Sequence, residues 1–259
     1  MKGMLIALRR ADRTFVRASD ATPGEFICPQ CDKPVVPTYG GKSTRHFVHK
    51  ASAHCVFDFG ESESPRRIKT AIYEALRTEV EATDVALEFP MGTVRPDVFA
   101  CIRGQKVAIE VQISTLSLES IAYRTAEYAR KGVYVLWLLE RTAALGEERY
   151  SPRRFERWLH SAYFGRVYFW KNDLTILPYH FLEHQKYISE RFWSDESGRR
   201  HRSFGHQRVS KRYKMPLCGR PLHIVRDLKG RSRKGWKSAH LDIPDALLFM
   251  DQSTGFMPE

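Results

Sequence analysis

The stretch VRPDVFACIRGQKVAIEVQIS, residues 94–114, carries Asp97 and then Glu110 followed two positions later by Gln112. It reads as two strands turning at Arg103-Gly104. Strand side chains alternate between faces, so Glu110 and Gln112 point the same way. Asp97 comes within cross-strand reach of them if the register is favourable. Their neighbours Val107, Ala108, Ile109, Val111 and Ile113 are apolar, and a carboxylate in so apolar a strand is costly unless paired or bound to a cation. Two carboxylates and the Val111 carbonyl are hard oxygen donors that suit Mg²⁺ or Mn²⁺. Such an ion acidifies a bound water and neutralises charge on a scissile phosphate. The competing reading is a solvated strand face with Asp97 paired to Arg95, and spacing alone weighs the two equally.

A second set of donors lies upstream. Cys28-x₂-Cys31 is followed after fourteen residues by His46-x₂-His49, with His54 and Cys55 close behind. Thiolates and imidazoles suit tetrahedral Zn²⁺. A unit this small would gain much of its folding free energy from the metal. The expected ligands are Cys28, Cys31, His46 and His49. The spacing of the two histidines is tighter than in common zinc fingers, so His54 and Cys55 stand as alternates. Five cysteines, an odd number, argue against a disulfide framework.

The elements that must position these residues follow from periodicity. Residues 4–9 and 14–17 read as a hairpin, and a Gly- and Pro-rich unit runs from Gly24 to Cys55. Ile68, Ala71, Ile72, Ala75, Leu76 and Val80 recur at helical spacing, with Ser64 as N-cap and Pro65 in the first turn. Strands are expected at 85–90, 93–102 and 106–113, and a helix from Leu118 to Arg130 that stops at Gly132. The apolar run 133–139 reads as a buried strand. The order helix, three strands, helix, strand is a compact α/β core with a mixed sheet. A connection at 141–156, a helix around Phe155–Ala162 and a strand pair at 166–170 and 174–181 follow. Beyond residue 186 periodicity fades and little regular structure is expected.

Charge is concentrated in that last part. The formal net charge is +12, and residues 186–240 hold 16 Lys and Arg against 4 acids, so the remaining residues sum to zero. Phe192, Trp193, Phe204, Tyr213 and Trp236 are interleaved with these cations, a composition that suits a polyanion, above all nucleic acid. The candidate contacts are Arg199, Arg200, Arg202, Lys211, Arg212, Arg231, Arg233 and Lys234. A solvated basic surface is the plainer alternative. No apolar run reaches the roughly 18–20 residues of a membrane span, and the N-terminus lacks a signal-peptide pattern, so a cytoplasmic protein with no membrane partner is expected.

The motifs R95-P-D97-V and I109-E110-V-Q112-I-S resemble the core of the PD-(D/E)XK nuclease superfamily, and more closely its CoiA-like competence-protein branch, in which Gln stands at the lysine position. Cys28-x₂-Cys31 with H46-F-V-H49, the G60-E61-S62 segment leading to Lys69, R124-T-A-E-Y128 and the strand V133-Y-V-L-W-L-L also resemble that branch, over residues 1–181. The resemblance implies a restriction-endonuclease-like αβββαβ core (59–145) behind a zinc-binding module (1–58). A flanking helix and hairpin (146–185) and a basic extension (186–259) complete the chain. It implies that Asp97 and Glu110 bind the divalent ion, that Glu61 lies at its edge and that Gln112 orients the attacking water or meets phosphate. Arg124 and Tyr128 would support the site or touch the nucleic-acid backbone, as would Arg95. Pro65 stands where the family has a histidine, which puts catalysis in doubt. Gln112 supplies no positive charge, and Lys69, two turns along the helix from Glu61, would restore it if it approaches the metal. The expected function is a Mg²⁺-dependent DNA nuclease of recombination, DNA uptake or defence, working with proteins of those systems. The alternatives are a non-catalytic DNA-binding factor on the same fold and an RNA-associated zinc protein.

Overall fold

The computed structural model describes residues 3–38, 44–50, 55, 63–113, 116–238, 241–253 and 256. The first five strands, β1 (Ile6–Arg9), β2 (Phe15–Arg17), β3 (Phe26–Ile27), β4 (Pro34–Pro37) and β5 (Phe47–His49), form an antiparallel sheet in the order β2-β1-β3-β4-β5. Met4, Ala7, Val16, Phe26, Cys28, Val35 and Phe47 make its small core. Leu5 and Ile6 belong instead to the main core, so one strand serves two hydrophobic clusters and docks the module on the rest of the chain.

The expected αβββαβ order is present. It consists of α1 (Glu63–Thr78), β6 (Ala82–Leu87), β7 (Val98–Ile102), β8 (Gln105–Gln112), α2 (Leu118–Arg130) and β9 (Tyr134–Glu140). β6, β7 and β8 run antiparallel, and β9 joins β8 in parallel. Val107 to Val111 and Val135 to Leu139 are buried at every position, as in strands covered on both faces. α1 buries Ile68, Ile72 and Leu76 at helical spacing, and Lys69 lies on the same stripe. α2 starts at an N-cap the sequence reading passed over: the Ser117 side chain accepts from the Ser120 N–H. It ends before Gly132, whose φ is +66°.

Three expectations are corrected. Ser64 lies inside α1, and its hydroxyl donates to Glu140 instead of capping the helix. The strand expected at 85–90 lies three residues earlier, at 82–87, and the one expected at 93–102 is cut to 98–102, because residues 88–97 turn through a Met91–Val94 bridge and Glu88 adopts φ +47°. Arg95-Pro96-Asp97 therefore precedes β7 and does not lie within it.

The third correction concerns the basic tail. After α3 (Arg154–Ala162), β10 (Val167–Asn172) pairs in parallel with β9, and β11 (Thr175–Ile188) runs on through residue 186. A hairpin of β12 (Arg191–Ser194) and β13 (Arg200–Ser203) follows, then β14 (His206–Cys218), which returns antiparallel to β11. β15 (Leu222–His223), α4 (Ile224–Asp227), β16 (Leu228–Arg233), β17 (Trp236–Lys237), β18 (Asp242–Ile243) and β19 (Ala246–Asp251) complete the chain. β19 pairs with β16 and, at Leu248, in parallel with β9 at Val135. The tail thus supplies a strand of the central sheet.

Candidate active site and metal centre

β7 and β8 pair with Val98 opposite Ile109, so one step beyond the end of β7 the same register sets Asp97 opposite Glu110. The Asp97 carboxylate accepts from the Val111 N–H at 2.8 Å and lies 2.6 Å from Lys69 Nζ. A strand residue turns its N–H and C=O to the same edge, so the Val111 carbonyl faces the Asp97 side as well. Lys69 is only 5% exposed, carried inward by the apolar stripe of α1. Burial would raise the Asp97 pKa, but the Lys69 and Arg124 charges overcome it and hold the group below its ordinary value.

Glu110 is 1% exposed. Arg124 and Tyr128, one helical turn apart on α2, both donate to its Oε1. Its Oε2 is buried and has no hydrogen-bond partner among the described residues. Burial pushes the Glu110 pKa up to about 7, and Asp97 adds to the rise against the pull of Arg124. An orphaned carboxylate oxygen is unfavourable in so apolar a place. It marks the spot where a cation would complete the site, and two carboxylates with a nearby carbonyl are the donors a divalent ion takes.

The site reading placed Tyr128 or Arg124 against nucleic acid or in support of the carboxylates. Tyr128 is fully buried and both donate to Glu110, the arrangement expected of residues that support the carboxylates, while the Arg124 side chain keeps 27% of its surface exposed. Arg124 also stacks over Trp137 at 5.4 Å and donates to the Arg95 carbonyl at 3.2 Å. Arg95 turns inward, 3.8 Å from Glu88. Gln112, partly buried at the end of β8, follows the acids in chain order. Glu61 and His54 lie outside the described residues.

Glu88 was missed. It is 2% exposed, accepts from the Leu5 N–H at 3.1 Å and lies 3.9 Å from Lys69 Nζ. It therefore ties Leu5, just before β1 of the N-terminal module, to the lysine beside Asp97. An acid inside the apolar run VALEFP was the available signal.

In the N-terminal module the ligand set changes. Cys28, Cys31, His49 and Cys55 bring their donor atoms within 4.8 Å of one another. Cys28 Sγ and Cys55 Sγ are 3.8 Å apart, and Cys31 Sγ is 3.3 Å from His49 Nε2. A tetrahedron with Zn–S bonds of about 2.3 Å has edges of roughly 3.8 Å, so the cluster fits zinc. Burial pushes the Cys28 thiol up to about 12, and a thiolate there needs a cation beside it. His46 is not a ligand. Its Nδ1 meets the Thr44 carbonyl at 2.9 Å, and its ring fills the space a side chain at Gly3 would need. Residues three apart on an extended strand face opposite ways, so His46 and His49 cannot both reach one ion.

Among the expected nucleic-acid contacts, Arg199 and Arg200 flank the start of β13, and Arg202 pairs with Glu190. Lys211 and Arg212 lie on β14. Arg231 and Arg233 bracket Phe164 at 4.2 and 4.4 Å, and Arg233 also donates to the Ala162 carbonyl at the end of α3. Lys234 is exposed just after β16. No helix among the described residues is long and apolar enough to cross a membrane.

This is a mixed α/β chain with a nuclease-like domain and a Cys₃His cluster that can hold zinc. The profile "Competence protein CoiA, nuclease-like domain" matches residues 61–189, and "Competence protein CoiA, N-terminal domain" matches residues 10–58. The chain belongs to the competence protein CoiA family. A relative from Bacillus subtilis (strain 168), described as "Competence protein CoiA", is 31% identical over 128 residues. That match takes in 46% of this chain and spans 34% of the relative's length. No solved structure matches the chain.

Proposed function

We propose that the chain is a divalent-metal-dependent DNA nuclease with a PD-(D/E)XK core, hydrolysing phosphodiester bonds in recombination, DNA uptake or defence. The observation that carries this reading is the Asp97–Glu110 pair, with a buried, unpartnered Oε2 on Glu110 and Lys69 at its side. Asp97, Glu110 and the Val111 carbonyl would hold Mg²⁺ or Mn²⁺, which supplies a nucleophilic water at neutral pH and charge neutralisation at the phosphate. Arg124 and Tyr128 fix the rotamer of Glu110 and hold Oε1, leaving Oε2 for the cation. Lys69 brings the positive charge that Gln112 lacks, and Gln112 is left to orient the attacking water by hydrogen bonding.

The test is a panel of labelled linear, circular and branched DNAs with Mg²⁺ or EDTA. Wild type should cleave at least one of them in Mg²⁺, while Asp97→Ala and Glu110→Ala should lose cleavage and keep zinc and DNA affinity. Equal cleavage by wild type and Asp97→Ala would sink the reading. One observation favours a non-catalytic DNA-binding factor instead. Lys69 stands 2.6 Å from Asp97, where its ammonium neutralises the carboxylate, and Pro65 stands where the family has histidine. Salt-sensitive DNA binding with no cleavage in Mg²⁺ or Mn²⁺ would select that reading.

A further inference from the structure

The β11–β14 ribbon is interrupted where Glu183 pairs with Lys214 but Gln185 pairs with Val209. One residue of β11, His184, thus faces four of β14, Ser210 to Tyr213. This wide bulge is closed by the Ser210 hydroxyl accepting from the Tyr213 N–H at 2.9 Å. Bulges re-aim side chains, and here the result is a cavity of about 550 Å³ on the ribbon. Arg149, Lys186, Arg191, Arg208, Lys211 and Arg212 line it, and no carboxylate does among the described residues. None of these six cations is ion-paired with a carboxylate among the described residues either. Two guanidiniums, those of Arg149 and Arg212, lie 4.7 and 5.2 Å from the centre of the Tyr213 ring.

Six like charges converging without a counter-ion repel one another, and a multivalent anion is the partner that relieves them. Aromatic rings extend the same surface. Tyr187, also on the cavity wall, is 65% exposed. The β12–β13 hairpin, which begins three residues after β11, presents Phe192 and Trp193, with Phe204 just beyond it. Arg202 lies 5.5 Å from the Phe192 ring and 4.5 Å from that of Phe204. A duplex keeps its base faces stacked inside and has no use for exposed rings, whereas an unpaired strand offers a base face at every nucleotide.

We propose that the cavity and the adjoining hairpin form a binding track for an unpaired nucleic-acid strand, phosphates over the cations and bases against the exposed rings. This rests on the nucleic-acid reading above and adds to it a strand class and a set of residues, Arg149, Lys186, Arg191 and Arg208 among them, outside the carboxylate site. The track needs no metal.

Fluorescence anisotropy in a Zn²⁺-containing, Mg²⁺-free buffer tests it, with a labelled single-stranded DNA and the matching duplex as probes. Wild type should bind the single strand at least about tenfold more tightly than the duplex. The variant R208Q/K211Q/R212Q should lose at least about tenfold in single-strand affinity. The slope of log affinity against log salt should shrink by about two, since each phosphate contact contributes roughly 0.7. The variant F192A/W193A, in which both changes are at exposed rings, should fold normally and also lose about tenfold. Wild-type single-strand affinity in the triple variant, or equal affinity for duplex and single strand, would overturn the proposal. The failures separate cleanly. Ribbon-dependent binding without Mg²⁺-dependent cleavage defeats the nuclease reading alone. Cleavage with binding indifferent to the ribbon defeats this one alone.

Discussion

Glu88 gathers three parts of the chain at one buried carboxylate: the Leu5 N–H of the N-terminal module, Lys69 of α1 and Arg95 of the turn before β7. Replacing it with Gln keeps an acceptor for Leu5 but removes the charge between two cations. Urea unfolding should show Glu88→Gln losing about 1–3 kcal/mol. Glu88→Ala leaves both cations and the amide less well compensated and should cost about 3–5 kcal/mol. Equal losses would mean that the charge alone matters and the hydrogen bond to Leu5 does not. The zinc ligands make a sharper contrast. Cys55→Ser should strip zinc from the purified protein, whereas His46→Ala should keep it, as elemental analysis would show. Retained zinc in Cys55→Ser would return His46 to the ligand set. The right ligand was open in the sequence, because CxxC and HxxH give spacing but not local geometry. Around Cys28 the chain folds into a tight turn, with the Asp32 N–H on the Cys28 carbonyl at 3.0 Å. His46 instead directly precedes the extended strand β5 and His49 ends it, and the same spacing sends them apart.

The elements that were legible are those whose apolar pattern is forced by burial. α2 occupies the span its periodicity gave, and β9 follows its continuous apolar run, since each packs in the interior. The bend at 88–97 was not legible. Its residues Glu88, Arg95 and Asp97 are polar groups satisfied by one another and by Lys69, and a network of that kind leaves no periodic trace. The packing of α3 on β11 carries a further titration that the sequence did not announce. His160 Nε2 accepts from the Phe181 N–H at 3.1 Å and lies 3.1 Å from His180 Nδ1. Burial, then His180 and Lys214, push its pKa down to about 4. Its unfolded value is near 6.5, so the unfolded chain binds the extra proton between these limits. The stability that neutral His160 contributes is therefore complete above pH 6.5 and is lost as pH falls toward 4, by on the order of 3 kcal/mol. Urea midpoints at pH 7 and pH 5 should differ less in His160→Gln than in wild type. An unchanged difference would remove His160 as the cause.

At the scale of the whole molecule the basic excess misleads, because it draws the eye to a tail when the chain is closing its core. β11 beyond Phe181 and the whole of β14 are partly or fully exposed, so no apolar stripe betrays that part of the ribbon. β19 has the opposite character: Leu248, Phe249 and Met250 are fully buried, and the run ALLFM was a strand signal hidden behind the charged segment. β19 shares the edge of β9 with β10, each pairing with a different end of that strand. Asp251, the last residue of β19, sits in a buried cluster with Arg166 and Tyr168. A detachable DNA-binding arm would come off without harm to the core, whereas a sheet strand would not. Leu248→Ala should cost about 2–5 kcal/mol, the range for emptying a buried leucine site. Ending the chain at residue 241 should leave the central sheet unable to close and the product insoluble or unfolded by circular dichroism. A shortened chain that unfolds at the wild-type urea midpoint would show β19 to be an appendage. If the truncated chain is unfolded while R208Q/K211Q/R212Q keeps its stability, the basic segment has two separable duties: its last strand completes the core, and the ribbon before it meets the ligand.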